Sequence, residues 1–278
     1  MKLLKEKLER KLETVASACM AVMGLGFMDP ADGDEFYVNG DEVFAIGSSI
    51  KIPVLMEFFR KAEAGLIDPG EHLTLREEHM VGGSGVLQFL TPGEASLPLI
   101  DYATLMINLS DNVATNILID LVGMDDVNSL LRELGHEVTM LQRRMIDWEA
   151  ARAGKENIST PREAVKLLTA LINRDGLSDY VCESTLNIMK KPKRGVFRET
   201  VPQSIEIANK PGGVDGAQCD WGLVMLPNKP YAVTIMTKHV PKTDTVHLET
   251  QLDMTLVSRL IYEYFEEKSL TTKYGRRT

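Results

Sequence analysis

The chain has 278 residues, 44% hydrophobic and 26% charged, the proportions of a globular protein with a core of ordinary size. A net charge of −9 excludes the basic footprint of a nucleic-acid binder, and the basic cluster at 273–277 reads as a solvated tail. Cys19, Cys182 and Cys219 are odd in number and widely spaced, which excludes a disulfide framework and a zinc site and points to a reducing compartment.

Leu4, Leu8, Leu12 and Val15 recur at near-helical spacing and predict an amphipathic helix over 3–16. Arg10, Lys11 and Glu13 stand where an export signal would need its apolar core, so a cytoplasmic protein is expected. Strands are predicted at 19–28, 35–38 and 43–45, punctuated by Asp29-Pro30 and Asn39-Gly40. A helix follows from Ser48 to about residue 64, with Pro53 in its first turns, where a missing N–H is tolerated. From there to 191 the chain reads as helical, at 101–109, 112–121, 125–134, 161–173 and 178–189. The stretch 142–160 has no periodicity, and a long irregular loop in a compact domain is often functional. Strands return at 204–210, 217–226 and 231–237, and a helix at 248–266 closes the chain. No stretch is long and apolar enough to span a membrane.

This order predicts an α+β fold: one antiparallel sheet built from both ends of the chain, with the terminal helices on one face. An all-helical subdomain is inserted between the strands. The expectation is one domain over 1–278, with an α/β part at 1–47 and 196–278, a helical part at 48–195, and an active site in the cleft between them.

Three strings carry chemistry. In Ser48-Ser49-Ile50-Lys51 the first serine and the lysine share a helix face, and a neutral lysine amine can take a serine proton without any histidine. Ser49 is the rival nucleophile, but its spacing to Lys51 does not share that face. The plain alternative is a capping serine followed by a surface lysine. Ser110-Asp111-Asn112 lies at a break between two helices and supplies a second hydroxyl to relay a proton and an amide to hold a substrate; the alternative is a capping turn. Lys210-Pro211-Gly212-Gly213 ends a predicted strand and offers a second cation and a backbone N–H; the alternative is a plain Pro-Gly-Gly turn.

In this order and at these spacings the three strings resemble the signature of the class A β-lactamases and penicillin-binding proteins. The resemblance covers most of the chain and is close around the second string. It implies Ser48 as nucleophile, Lys51 as its basic partner, Ser110 as proton relay and Lys210 as electrostatic anchor. It also implies Asn112 and Gly212 as substrate contacts, and the backbone N–H groups of Ser48 and Gly213 as an oxyanion hole. The stretch 142–160 matches the omega loop of that family, where a glutamate primes the deacylating water. Glu149, in Asp147-Trp148-Glu149, is the candidate base, with Asp147 and Glu156 as competitors. The alternative is that Glu149 only pairs with Arg143 or Arg144.

Three departures stand out. Pro211 replaces the usual threonine or serine that binds a substrate carboxylate. Cys219-Asp220-Trp221 replaces the stretch that usually carries an arginine, and Asp220, read as a substrate contact, would repel an anion and favour a neutral or cationic substrate. The loop after Glu149 is short, and Ala153 stands where an asparagine is usual, with Asn157 offered as its substitute. The reading is a serine hydrolase of small-molecule amides or esters, with β-lactams the best named substrate. The alternatives are a D-alanyl-D-alanine peptidase or esterase, or a sensor that is acylated without turnover. No cofactor, metal, nucleic acid or membrane is called for: the five histidines lack ligand spacing, and Gly82-Gly83-Ser84-Gly85 reads as a cleft-edge loop. The oligomeric state is left open.

Overall fold

The computed structural model describes residues 2–272 and 274–277; Lys273, at one end of the basic tail, lies outside the described residues. In chain order the main elements are α1 (Lys2–Ala18), β1 (Val22–Met28), β2 (Glu35–Val38), a 3-10 turn (Gly47–Ile50) and α2 (Lys51–Glu63). The helices α3 (Leu99–Asn108), α4 (Asn112–Val122), α5 (Met124–Glu133), α6 (Trp148–Arg152), α7 (Pro161–Asn173), α8 (Asp179–Met189) and α9 (Val196–Thr200) follow. The chain closes with β3 (Ile207–Val214), β4 (Ala217–Val224), β5 (Tyr231–Lys238) and α10 (Asp244–Leu270). It divides into two compact units, one holding the described residues up to 49, 159–173 and from 194 onward, the other 50–158 and 174–193.

The first unit is built on a five-stranded sheet of order β2-β1-β5-β4-β3, antiparallel throughout. Strand β5 is central and buried at every position but Lys238, as a strand covered on both faces must be. On one face Leu8 and Leu12 of α1 and Val257, Ile261 and Phe265 of α10 close over Phe27, Val233 and Ile235. Tyr231 stacks on Phe265 with ring centroids 4.1 Å apart. Helix α7, expected in the helical part, instead packs on β1, β4 and β5 through a stripe that includes Ala164, Val165 and Leu168. An apolar helical stripe demands a partner but does not name one.

A second difference concerns β3. Sequence signals end it at Lys210, yet it runs on through Pro211-Gly212-Gly213 to Val214, with Pro211 opposite Asp220. Strand β3 is an edge strand, where a proline's missing N–H need not break the ladder.

The second unit is helical around α2, whose first nine residues, Lys51 to Phe59, are all buried. Helices α3, α4, α5 and α8 pack against it. A helix apolar nearly all round needs such a jacket. Among the described residues no helix is long and apolar enough to cross a membrane.

Candidate active site

The candidate residues fall in both units, with the boundary between Ser49 and Ile50. In the helical unit Lys51 is fully buried. Its Nζ donates to the Ser110 carbonyl at 2.8 Å, to Ser110 Oγ at 3.1 Å and to Asn112 Oδ1 at 3.1 Å. Ser110 holds a left-handed backbone (φ 53°), rare for a residue with a side chain. Such strain costs about 1–3 kcal/mol and recurs at functional sites.

Asp111 does more than the capping its sequence position suggests. It caps α4 by accepting from the Ala114 N–H at 3.0 Å. Its other oxygen accepts from the Val86 and Leu87 N–H groups at 2.7 and 2.9 Å. The Asn112 amide donates to Gly82 O through its side chain and to Ser84 O through its backbone. The loop 82–85 is therefore stitched to the Ser-Asp-Asn turn. Glycine is required at 85, where φ is +107° and a Cβ would lie 2.2 Å from the Asp111 carboxylate.

In the sheet unit Ser48 is half-buried in the 3-10 turn rather than in an α-helix. Ser49 is fully buried; its Oγ donates to the Lys210 carbonyl at 2.8 Å and lies 3.1 Å from Cys219 Sγ. The hydroxyl of the rival serine is thus engaged with β3 and β4. Lys210 is also buried, its Nζ donating to the Pro211 carbonyl at 2.7 Å. Among the described residues Lys51 and Lys210 are the buried lysines, a rare placement for a charged side chain. A Cβ on Gly212 would sit 2.2 Å from Ile46 O, and one on Gly47 2.7 Å from Gly213 N. Only glycines let the Ser48 turn lie this close to β3.

Asp220 is not the substrate contact its sequence position suggests. It is fully buried and accepts from the Val196 N–H at 2.8 Å and from Asn209 Nδ2 at 3.1 Å. Val196 is the first residue of α9, so the carboxylate anchors that helix end instead of meeting substrate. The pairing of 209 with 220 belongs to the face of β3 and β4 that α9 covers.

In the loop 142–160 the three carboxylates differ. Asp147 caps α6 by accepting from the Ala150 N–H at 2.9 Å. Glu156 pairs with buried Arg143 at 2.8 Å, and Arg144 pairs with Asp120. Glu149 is exposed, and neither arginine is its partner. Asn157 does not replace the missing asparagine: it is buried, accepts from the Gln142 and Arg143 N–H groups and donates to the Arg143 carbonyl. It closes the neck of the loop. Asn116, which sequence reasoning passes over, exchanges two hydrogen bonds with the Met145 backbone. Both Asp111 and Asn116 belong to the string around the second motif, the one signal that points to them. Among the described residues no cluster of three or more His, Cys, Asp or Glu is placed to hold a metal ion.

An antiparallel sheet with both terminal helices on one face, together with a helical unit that buries a lysine against a Ser-Asp-Asn turn, is the frame of a serine acyl-transfer enzyme. The model of the β-lactamase enzyme family matches residues 7–265. The chain is 22% identical over 269 residues to β-lactamase CARB-3 of Pseudomonas aeruginosa, covering 95% of this chain and 92% of that one. It is similar to a PBP-A variant solved as an acyl-enzyme with penicillin G (28% identity, TM-score 0.83, 94% and 97% coverage). It is also similar to a β-lactamase from Sphaerobacter thermophilus (29% identity, TM-score 0.82, 91% and 96% coverage). The chain belongs to the β-lactamase enzyme family and is a serine hydrolase.

Proposed function

We propose that Ser48 becomes acylated by a small amide or ester, and that a β-lactam is the best named substrate. The observation that carries this is Lys51, buried against Ser110 and Asn112 and three residues after Ser48 in the chain. Ser48 Oγ attacks the carbonyl carbon and Lys51, as the neutral amine, takes its proton. The neutral amine keeps two N–H bonds, enough for two of its three oxygen neighbours, and its lone pair is then the base. Ser110 accepts a hydrogen bond from Lys51; it passes its own hydrogen to the leaving nitrogen or oxygen and takes in return the proton that Lys51 gained from Ser48. The Ser48 and Gly213 N–H groups receive the oxyanion, and Lys210 sets the local positive charge. Asn112 uses one side-chain N–H on Gly82 O and has a second for a substrate carbonyl.

Deacylation is assigned to Glu149, since Asp147 and Glu156 are engaged elsewhere. Its exposure argues for slow water activation and an acyl-enzyme that accumulates. The likeness to a PBP-A variant solved as a penicillin acyl-enzyme favours the same behaviour and keeps a peptidase-like or sensor role as the second reading. Pro211 and Cys219 offer no hydroxyl or guanidinium for a substrate carboxylate. Two charge-assisted hydrogen bonds are worth roughly 3–6 kcal/mol, or several powers of ten in affinity. Penicillins are therefore expected to bind weakly, and a neutral ester or amide is the alternative substrate.

A chromogenic cephalosporin assay read together with intact mass separates the readings. A burst followed by slow turnover, with an acylated mass persisting, is expected. An adduct with no turnover marks a sensor, and rapid penicillin hydrolysis without an adduct contradicts the weakened carboxylate recognition.

A further inference from the structure

We propose that Ser49 and Cys219 are positioning residues that clamp the turn carrying Ser48 to β3 and β4, and so set the spacing of the Ser48 and Gly213 amides. The proposal rests on the reading of Ser48 as nucleophile. Ser49 Oγ donates to the carbonyl of Lys210 on β3 at 2.8 Å. Cys219, on β4 directly opposite Gly212, donates from Sγ to the carbonyl of Ile46 at 3.1 Å, and its sulfur lies 3.1 Å from Ser49 Oγ. Two hydrogens thus serve three close contacts, and every residue in the group is buried.

The group bridges the turn to both strands at the register where β3 comes closest. Gly212 marks that point, since a Cβ there would fall 2.7 Å from Ser49 N and 2.9 Å from Ser49 Oγ. Gly47, with φ +46°, marks it from the other side, its would-be Cβ 2.6 Å from Gly213 O. The turn itself closes with the Ser49 N–H on Ile46 O at 3.0 Å. Ile46 and Ser49 thus flank Ser48, and Lys210 and Cys219 flank the strand positions opposite, so the two amides have little freedom to drift apart. Burial pushes the Cys219 thiol up to about 12, against the opposing pull of the Ser49 hydrogen bond, so the sulfur keeps its proton and stays a donor at neutral pH. A reactive cysteine would need the reverse.

An oxyanion hole works only if its donors are set before the reaction, and small misplacements are costly. The test uses Ser49→Ala, Cys219→Ala and Cys219→Ser, with stopped-flow acylation by a chromogenic cephalosporin and hydrogen exchange of segments 46–50 and 209–214. Both alanine variants should slow acylation on the order of 10- to 100-fold, with little change in the apparent dissociation constant. They should also speed exchange in both segments. Cys219→Ser keeps a donor for Ile46 O and should recover most of the loss, which a mere packing role would not predict. Folded alanine variants with parental acylation and parental exchange overturn the proposal. If the parent protein is not acylated at all, the Ser48 reading fails on its own, and exchange alone decides the clamp: faster in both segments supports it, unchanged overturns it. Should Ser49→Ala not fold, the two Cys219 variants decide by the same criteria.

Discussion

Asp111 and Asp220 are both fully buried carboxylates; Asp111 spends both oxygens on backbone N–H groups, and Asp220 accepts from the Val196 N–H and the Asn209 side-chain amide. Residue types and spacings single out Ser48, the two lysines and the Ser-Asp-Asn string as candidates, because acyl-transfer chemistry without histidine admits few alternatives. Nothing in the spacing tells which carboxylates are captured by the chain's own amides, since the partners lie 24 and 25 residues away. Asp220→Ala should cost roughly 2–3 kcal/mol in denaturant unfolding, because the Val196 N–H at the start of α9 loses its acceptor. The ratio of activities on cationic and anionic esters should not move; a reversed preference would restore Asp220 as a substrate contact. Asp111→Ala should cost roughly 3 kcal/mol or more and loosen the loop 82–85, seen as faster hydrogen exchange at Val86 and Leu87.

Among the helices and strands, periodicity locates most elements, but three outcomes turn on tertiary context. Strand β3 passes through Pro211 because it lies at the sheet edge, and edge position is a property of the sheet, not of the segment. Helix α7 has a legible stripe and an illegible partner. The loop 142–160 reads as irregular because its order comes from side chains: Asn157 on the Gln142 and Arg143 backbone, Arg143 on Glu156, Asn116 on Met145. Asn157→Ala removes three of those bonds at the neck. It should lower stability by about 2 kcal/mol and raise proteolytic cleavage within the loop. Unchanged cleavage would show that the neck is held by other means.

Across the chain as a whole, the return of its end to the sheet begun at its start is readable from element order, and it is reinforced by charge. Asp29, just after β1, accepts from Lys268 of α10 at 2.9 Å and from Lys229 at 3.2 Å. Burial pushes Asp29 and Asp34 up, but hydrogen bonds, led by those from Lys268 and Lys5 respectively, hold both carboxyls below their ordinary 3.8. Burial alone would lower Lys268, yet Asp29, Asp34 and Asp32 hold it well above its ordinary 10.5. The carboxylates' contribution is therefore present above about pH 3.8 and lost as pH falls through their lower folded values. That of Lys268 is complete below 10.5 and lost only as pH rises through its raised value. Lys268→Met should lower stability at neutral pH and shift the acid unfolding midpoint upward; an unmoved midpoint would deny the cluster its part. The role of Ser48 is exposed by locating the acyl group after brief reaction with penicillin G or a chromogenic cephalosporin. Tandem mass spectrometry should place it on Ser48, absent in Ser48→Ala and formed far more slowly in Lys51→Ala. An adduct on Ser49 or Ser110, or one that survives in Ser48→Ala, would show that another group is the nucleophile.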